Sequence, residues 1–121
     1  MVEESKPLFV QIAEQVEDSI VDGSLAEEDR APSTNELAAF HRINPATAAK
    51  GVNLLVSEGI LYKKRGIGMF VAKGAEEAIK AKRRAAFYRD FVKPLVQEGR
   101  SLEVTGEELL TMVRRAMEEG D

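Results

Sequence analysis

The 121-residue chain offers little from which covalent chemistry could be built. It holds one histidine, His41, and no cysteine. A thiol nucleophile, a disulfide framework and a thiolate metal site are thereby excluded. His41 has no second histidine with which to share a metal, and no pair of carboxylates converges by spacing on general acid–base work. An enzyme is poorly supported, and no cofactor or metal is expected. The chemistry that remains is hydrogen bonding and charge. Two stretches concentrate it: "NPATAAKGVNLLVS" at 44–57 and "YKKRGIG" at 62–68.

The first stretch begins as a helix should. Asn44 is a strong N-cap residue, and Pro45 occupies the first helical position, where its missing N–H costs nothing. At 100° per residue, Ala48, Val52, Leu55 and Val56 form the apolar stripe. Ala46, Lys50, Asn53 and Ser57 fall opposite, with Thr47 beside them, and no acid precedes Glu58. Solvated helices usually interleave Glu and Lys. Small polar groups with one lysine and no carboxylate suit a surface that approaches phosphates and base edges. The helix start is expected to add free amides and a partial positive charge. An ordinary helix with a quiet surface is the competing reading.

In the second stretch, Lys63, Lys64 and Arg65 cluster three positive charges, and Gly66 and Gly68 permit a tight turn that could approach a minor groove or a phosphate. A plain hairpin with a solubilising tip is the alternative. The whole chain carries a net charge of −4, yet residues 30–73 hold seven basic residues against two acids, while residues 1–29 hold one lysine against nine acids. A basic island in an acidic chain is the footprint of a localised phosphate-binding face.

These stretches need elements to position them. Phe9, Ile12, Ala13, Val16 and Ile20 predict a helix over 8–22, ended by Gly23. A loop follows, in which Arg30 and Ala31 add a short strand. Ser33 and Glu36 form a capping box that opens a short helix over 33–40. The helix from Asn44 ends at Gly59. Ile60–Lys64 and Gly68–Ala72 form a hairpin around Arg65-Gly66-Ile67. The expected fold is mainly α: a winged helix-turn-helix of three helices plus a β-hairpin wing, followed by a two-helix dimerisation tail.

"DRAPSTNELAAFHRINPATAAKGVNLLVSEGILYKKRGIGMFV" resembles the DNA-binding domain of the GntR family of bacterial transcription regulators, the likeness covering about residues 7–73. "INPATAAK" and the short tail resemble the YtrA-like subfamily, which lacks the large effector domain of its relatives. The resemblance implies that Arg30 touches phosphate and that Ser33 is the serine of the motif, with Thr34 following it. Asn35 stands where a base-reading arginine is common and Ala49 where arginine is frequent. The start of the recognition helix maps to Asn44, Pro45, Thr47 and Lys50. The wing contributes Lys64, Arg65, Gly66 and Gly68, and Arg42 replaces a usual turn glycine. Such proteins bind double-stranded DNA, as repressors in many cases, and often answer to a small-molecule effector.

The expected division is a DNA-binding domain over 1–73 and a dimerisation or effector region over 74–121. The tail reads as a long helix kinked at Pro94, with Ile79, Ala86, Phe87, Phe91 and Leu95 near one face. A last helix over 105–119 starts at the Thr105–Glu108 capping box, with Val104 and Leu109 in staple positions, and buries Leu109, Leu110, Val113 and Met117. Ile79, Phe87, Phe91, Leu95, Leu109, Val113 and Met117 are the dimerisation candidates. A homodimer reading a palindromic operator is the leading expectation, with folding of the tail back onto its own winged helix as the alternative. A cluster of Phe87, Tyr88, Phe91 and Met112 reads as core or interface before ligand box. A winged helix that binds an acidic protein without DNA readout is the second functional reading. No apolar run is long enough for a membrane span, "MVEESKPL" has no signal-peptide core, and a reducing cytoplasm is expected.

Overall fold

A computed structural model describes residues 6–120. The first five residues of the expected 1–73 domain, and Asp121 of the tail, lie outside them. The elements run α1 (Leu8–Val21), α2 (Thr34–His41), α3 (Pro45–Ser57), β1 (Leu61–Lys64), β2 (Gly68–Val71), α4 (Ala75–Phe87), a π-helical turn (Tyr88–Val92), α5 (Lys93–Ser101) and α6 (Gly106–Glu119). The chain divides into two compact units, one ending at Ala81 and the other beginning at Lys82.

The first unit is a winged helix-turn-helix. Ile12, Ala13, Val16 and Ile20 of α1 meet Leu37, Ala38, Ala48, Val52 and Leu55 in one apolar core, which Ile60, Leu61 and Val71 of the hairpin close. Each fully buried aliphatic chain contributes about 1.5–3 kcal/mol. Val56, expected on the α3 stripe, is exposed, and Gly51 takes its place on the buried side. A Cβ at Gly51 would stand 2.9 Å from the Phe9 carbonyl oxygen, so α1 and α3 approach more closely than any side chain there permits. β1 and β2 pair antiparallel, Leu61 opposite Val71 and Lys64 opposite Gly68. The strand expected at Arg30–Ala31 is a single bridge, Arg30 to Phe70, strengthened by the Ala31 N–H donating to the Met69 carbonyl at 2.8 Å.

The turn between α2 and α3 is made without glycine. Arg42 caps α2 in the left-handed region, at φ 56 and ψ 50. For an L residue that conformation costs about 1–2 kcal/mol, partly offset by its lower freedom when unfolded. Arg42→Gly is expected to raise stability by about 0.5–1 kcal/mol, read as a higher urea midpoint at unchanged m.

Ala75 and Ile79 are fully buried in the core of the first unit. The division therefore falls eight residues later than 73/74, because the first two turns of α4 are part of that core. Ile79 is accordingly withdrawn as a dimerisation residue: with 0% of its surface exposed, it has nothing to offer a partner.

The second unit is a helical hairpin. Pro94 can neither donate to the Asp90 carbonyl nor sit beside it, and just before it the helix widens into one π turn, in which the Lys93 N–H donates to the Tyr88 carbonyl five residues back. Thr105 and Glu108 form the expected reciprocal cap of α6, at 3.1 and 2.8 Å. Gly99 faces Val104 and Leu109, so the two staple residues close over a side-chain-free spot on α5. Burial of Leu110, Val113 and Met117 does not occur within the chain: all three are exposed and Leu109 is half-buried. Two helices share only one seam, and their remaining apolar faces stay open. Phe87, Phe91 and Leu95 are likewise exposed, with the two phenyl rings 5.7 Å apart.

Candidate nucleic-acid interface

α3 presents the acid-free surface. Ala46, Lys50, Asn53 and Ser57 are exposed, Thr47 and Ala49 half-buried, while Ala48, Gly51, Val52 and Leu55 face inward. Asn44 caps the helix through Oδ1, which accepts from the Ala46 N–H at 2.7 Å. The Thr47 N–H donates to the Asn44 carbonyl at 3.0 Å, and Pro45 has no N–H. The free amides expected at this helix start are therefore already committed. Side chains must make the outward contacts: the Asn44 amide group, Thr47 and Lys50. The Lys50 ammonium lies 5.1 Å from the centre of the Phe9 ring, so an aromatic face on α1 steadies it.

The start of α2 is closed in the same way. Ser33 Oγ accepts from the Glu36 N–H at 3.0 Å, and the Glu36 carboxylate accepts from the Ser33 N–H at 2.8 Å. These bonds from the Ser33 backbone and side chain, with a smaller pull from Arg30, lower the pKa of Glu36. The carboxylate half of the capping box is at full strength above the ordinary carboxylate range and weakens as pH falls through the depressed value, while the Ser33 Oγ bond does not titrate. Its one carboxylate is thus occupied by its own helix at neutral pH. Thr34 is half-buried and Asn35 exposed beside it.

The wing is moored to the loop before α2. Arg30 bridges Phe70, and the Tyr62 hydroxyl donates to Glu28 at 2.5 Å, a bond that raises the pKa of Tyr62. Gly68, at φ 143, has a second duty beyond turning the chain: a Cβ there would meet Arg30 Nε at 3.0 Å. The missing side chain gives the Arg30 guanidinium its place against the hairpin. Lys64 stands over the Phe70 ring at 4.3 Å, and Lys63, Arg65 and Gly66, at φ 76, are exposed around the tip. Arg30 and Gly68 are thus brought together.

Gly51 and the mooring of Tyr62 have no counterpart among the expected site residues. Gly51 did carry a signal, a glycine far from both helix ends and flanked by apolar positions, which marks a close approach of backbones. His41, half-buried, packs edge-to-face on Phe40 at 4.9 Å. Among the described residues no group of side chains could hold a metal ion, and no helix is long and apolar enough to cross a membrane.

Three helices with a hairpin wing define a winged helix-turn-helix domain. Residues 8–71 match the bacterial regulatory proteins of the gntR family, and the chain belongs to that family. It is similar to the HTH-type transcriptional regulator YhcF of Bacillus subtilis (strain 168), 31% identical over 116 residues, 96% of this chain and 94% of that one. The HTH-type transcriptional repressor YtrA of the same organism is 32% identical over 75 residues, 62% of this chain and 58% of its own length. Among solved structures, a GntR-family protein from Bacteroides thetaiotaomicron superposes with a TM-score of 0.81 at 30% identity, covering 95% of this chain and all of that one. AraR(DBD) in complex with operator ORX1 matches 55% of this chain and 81% of its own at 33% identity, with a TM-score of 0.53.

Proposed function

We propose that this regulator binds a palindromic operator as a homodimer and represses by occupying it. α3 enters the major groove, about 12 Å wide, and the wing lies along the adjacent minor groove or its phosphates. Asn44, Pro45, Thr47 and Lys50 face base edges. Arg30, Ser33, Thr34, Asn35, Lys64, Arg65, Gly66 and Gly68 supply the backbone contacts. Two copies place their recognition helices about 34 Å apart, one turn of DNA. The observation that carries this reading is the exposed side of α3, free of carboxylates from Pro45 to Ser57. The operator complex of AraR and the repressor named among the relatives support it. Such a protein works where the chromosome is, in the cytoplasm.

The dimer rests on the tail. Among the described residues of the second unit only Gly99 is buried, so about 40 residues of amphipathic helix lack a core of their own. Phe87, Phe91, Leu95, Val113 and Met117 would form that core with a second copy, Leu109 backing them. A metabolite that loosens this pairing would release the operator.

Binding of DNA fragments selected by the protein, followed by fluorescence anisotropy at several salt concentrations, tests the docking. Lys50→Ala is expected to cost about 1–3 kcal/mol on the selected site and to relax specificity. Arg65→Ala is expected to weaken all sequences alike and to reduce the salt slope by about 1. Wild-type behaviour of both variants would falsify the docking.

A further inference from the structure

The tip of the wing carries a residue that the fold does not need. Ile67 is 58% exposed and lies outside the core cluster and outside the partly buried residues packed against it. Turn tips ordinarily take Gly, Pro, Asn, Asp or Ser. Here a branched hydrocarbon stands between two glycines, Gly66 at φ 76 and Gly68 at φ 143. Its own N–H donates to the Lys64 carbonyl at 2.9 Å, which closes the turn and fixes the backbone beneath it. Exposed Lys63, Lys64 and Arg65 precede it. The arrangement is a hydrocarbon point beside three cations on the β1 side of the turn, on a hairpin moored at its root.

Cations draw such a tip onto a polyanion, while the hydrocarbon has value only where it leaves water. The minor groove offers both conditions. Its floor is nearly uniform: A·T and T·A pairs show acceptors only, and G·C adds one donor, the guanine N2 amine. Against a hydrocarbon that amine loses its water and finds no acceptor, the costly case of a buried donor left unsatisfied. An A·T pair shows no such donor.

We propose that Ile67 is a specificity-determining residue that seats in the operator minor groove and selects against G·C at the base pairs beneath the wing. The inference rests on the reading that this wing lies in the minor groove, and it adds which side chain reads there and what it rejects.

Inosine isolates the effect, because an I·C pair keeps the major-groove face of G·C and lacks the N2 amine. The full-length protein is titrated against its selected fragment carrying A·T, G·C or I·C under the wing. G·C is expected to weaken binding by about 5- to 100-fold relative to A·T, and I·C to restore it. Because removal of the amine also changes groove width, the same three fragments are titrated with Ile67→Ala and Ile67→Asn. Both variants sit at an exposed tip, and circular dichroism checks that the fold is intact. The preference for I·C over G·C should collapse in Ile67→Ala. In Ile67→Asn, whose amide oxygen can accept from the amine, G·C should become the equal of I·C or better.

If wild type binds G·C and I·C alike, or if the preference survives in Ile67→Ala, Ile67 does not read the groove and this inference is overturned, while the operator reading stands. If no fragment is selected at all, the operator reading falls and takes this inference with it.

Discussion

Gly51→Val is expected to cost about 3 kcal/mol or more of folding stability. A single Cβ at this position would already press to 2.9 Å from the Phe9 carbonyl oxygen and 3.5 Å from Ile12. Neither neighbour is a flexible chain end: one is backbone and the other is core. Overpacking of this kind typically costs 1–3 kcal/mol, and valine adds two further methyl groups to it. Against a total stability on the order of 5–15 kcal/mol, much of the folded margin goes. Gly51→Ala is the sharper case, since alanine is better than glycine inside a helix by about 1 kcal/mol. The contact should outweigh that gain, leaving the alanine variant less stable than wild type. Gly106→Ala is the control, because nothing lies within 4 Å of a Cβ there. Urea midpoints measure all three. A Gly51→Val protein as stable as its parent would mean that α1 and α3 do not cross at this distance.

Phe91→Glu combined with Met117→Glu is expected to convert dimer to monomer and to weaken binding to the palindrome by about 10²- to 10⁴-fold, the gain that linking two modest sites confers. Both side chains are open in the single chain, at 48% and 72% exposure, so the substitutions should leave the fold of each copy intact. A carboxylate forced into an apolar seam is desolvated without a partner, which is what separates the copies. Affinity for a single half-site should stay near that of wild type, because the first unit is untouched. Sedimentation and titration against whole and half operators separate the two effects. A double variant that still sediments as a dimer would place the seam elsewhere.

The elements that could be read from the chain are those written in local chemistry. Ser33 with Glu36 and Thr105 with Glu108 are reciprocal side chain–backbone bonds spanning three residues, and both formed. Asn44-Pro45 opened α3 for the same reason. Contacts between distant segments were not legible. Periodicity places Ile79 on an apolar face but cannot say which body covers that face, and the first unit did. The stripe of α6 was correct as a stripe, yet within the chain only Leu109 covers anything, the Gly99 spot on α5, while Leu110, Val113 and Met117 stay exposed. The amides at the start of α3 looked free because capping rules count donors, and the second acceptor, the Asn44 carbonyl, appears only once the turn has its geometry. Pro94 signalled an irregularity, read as a kink, and the widened π turn that precedes it was not foreseen.

Both strands of the wing are tethered to one short segment, β1 through Tyr62 to Glu28 and β2 through Phe70 to Arg30. A hairpin held on both legs resists swinging toward a stretched or compressed target. In the docking proposed above, its tip and the helix beside it work as a caliper, so base pairs inserted between the two points of contact should weaken binding, which titration against spacer variants of the selected fragment measures.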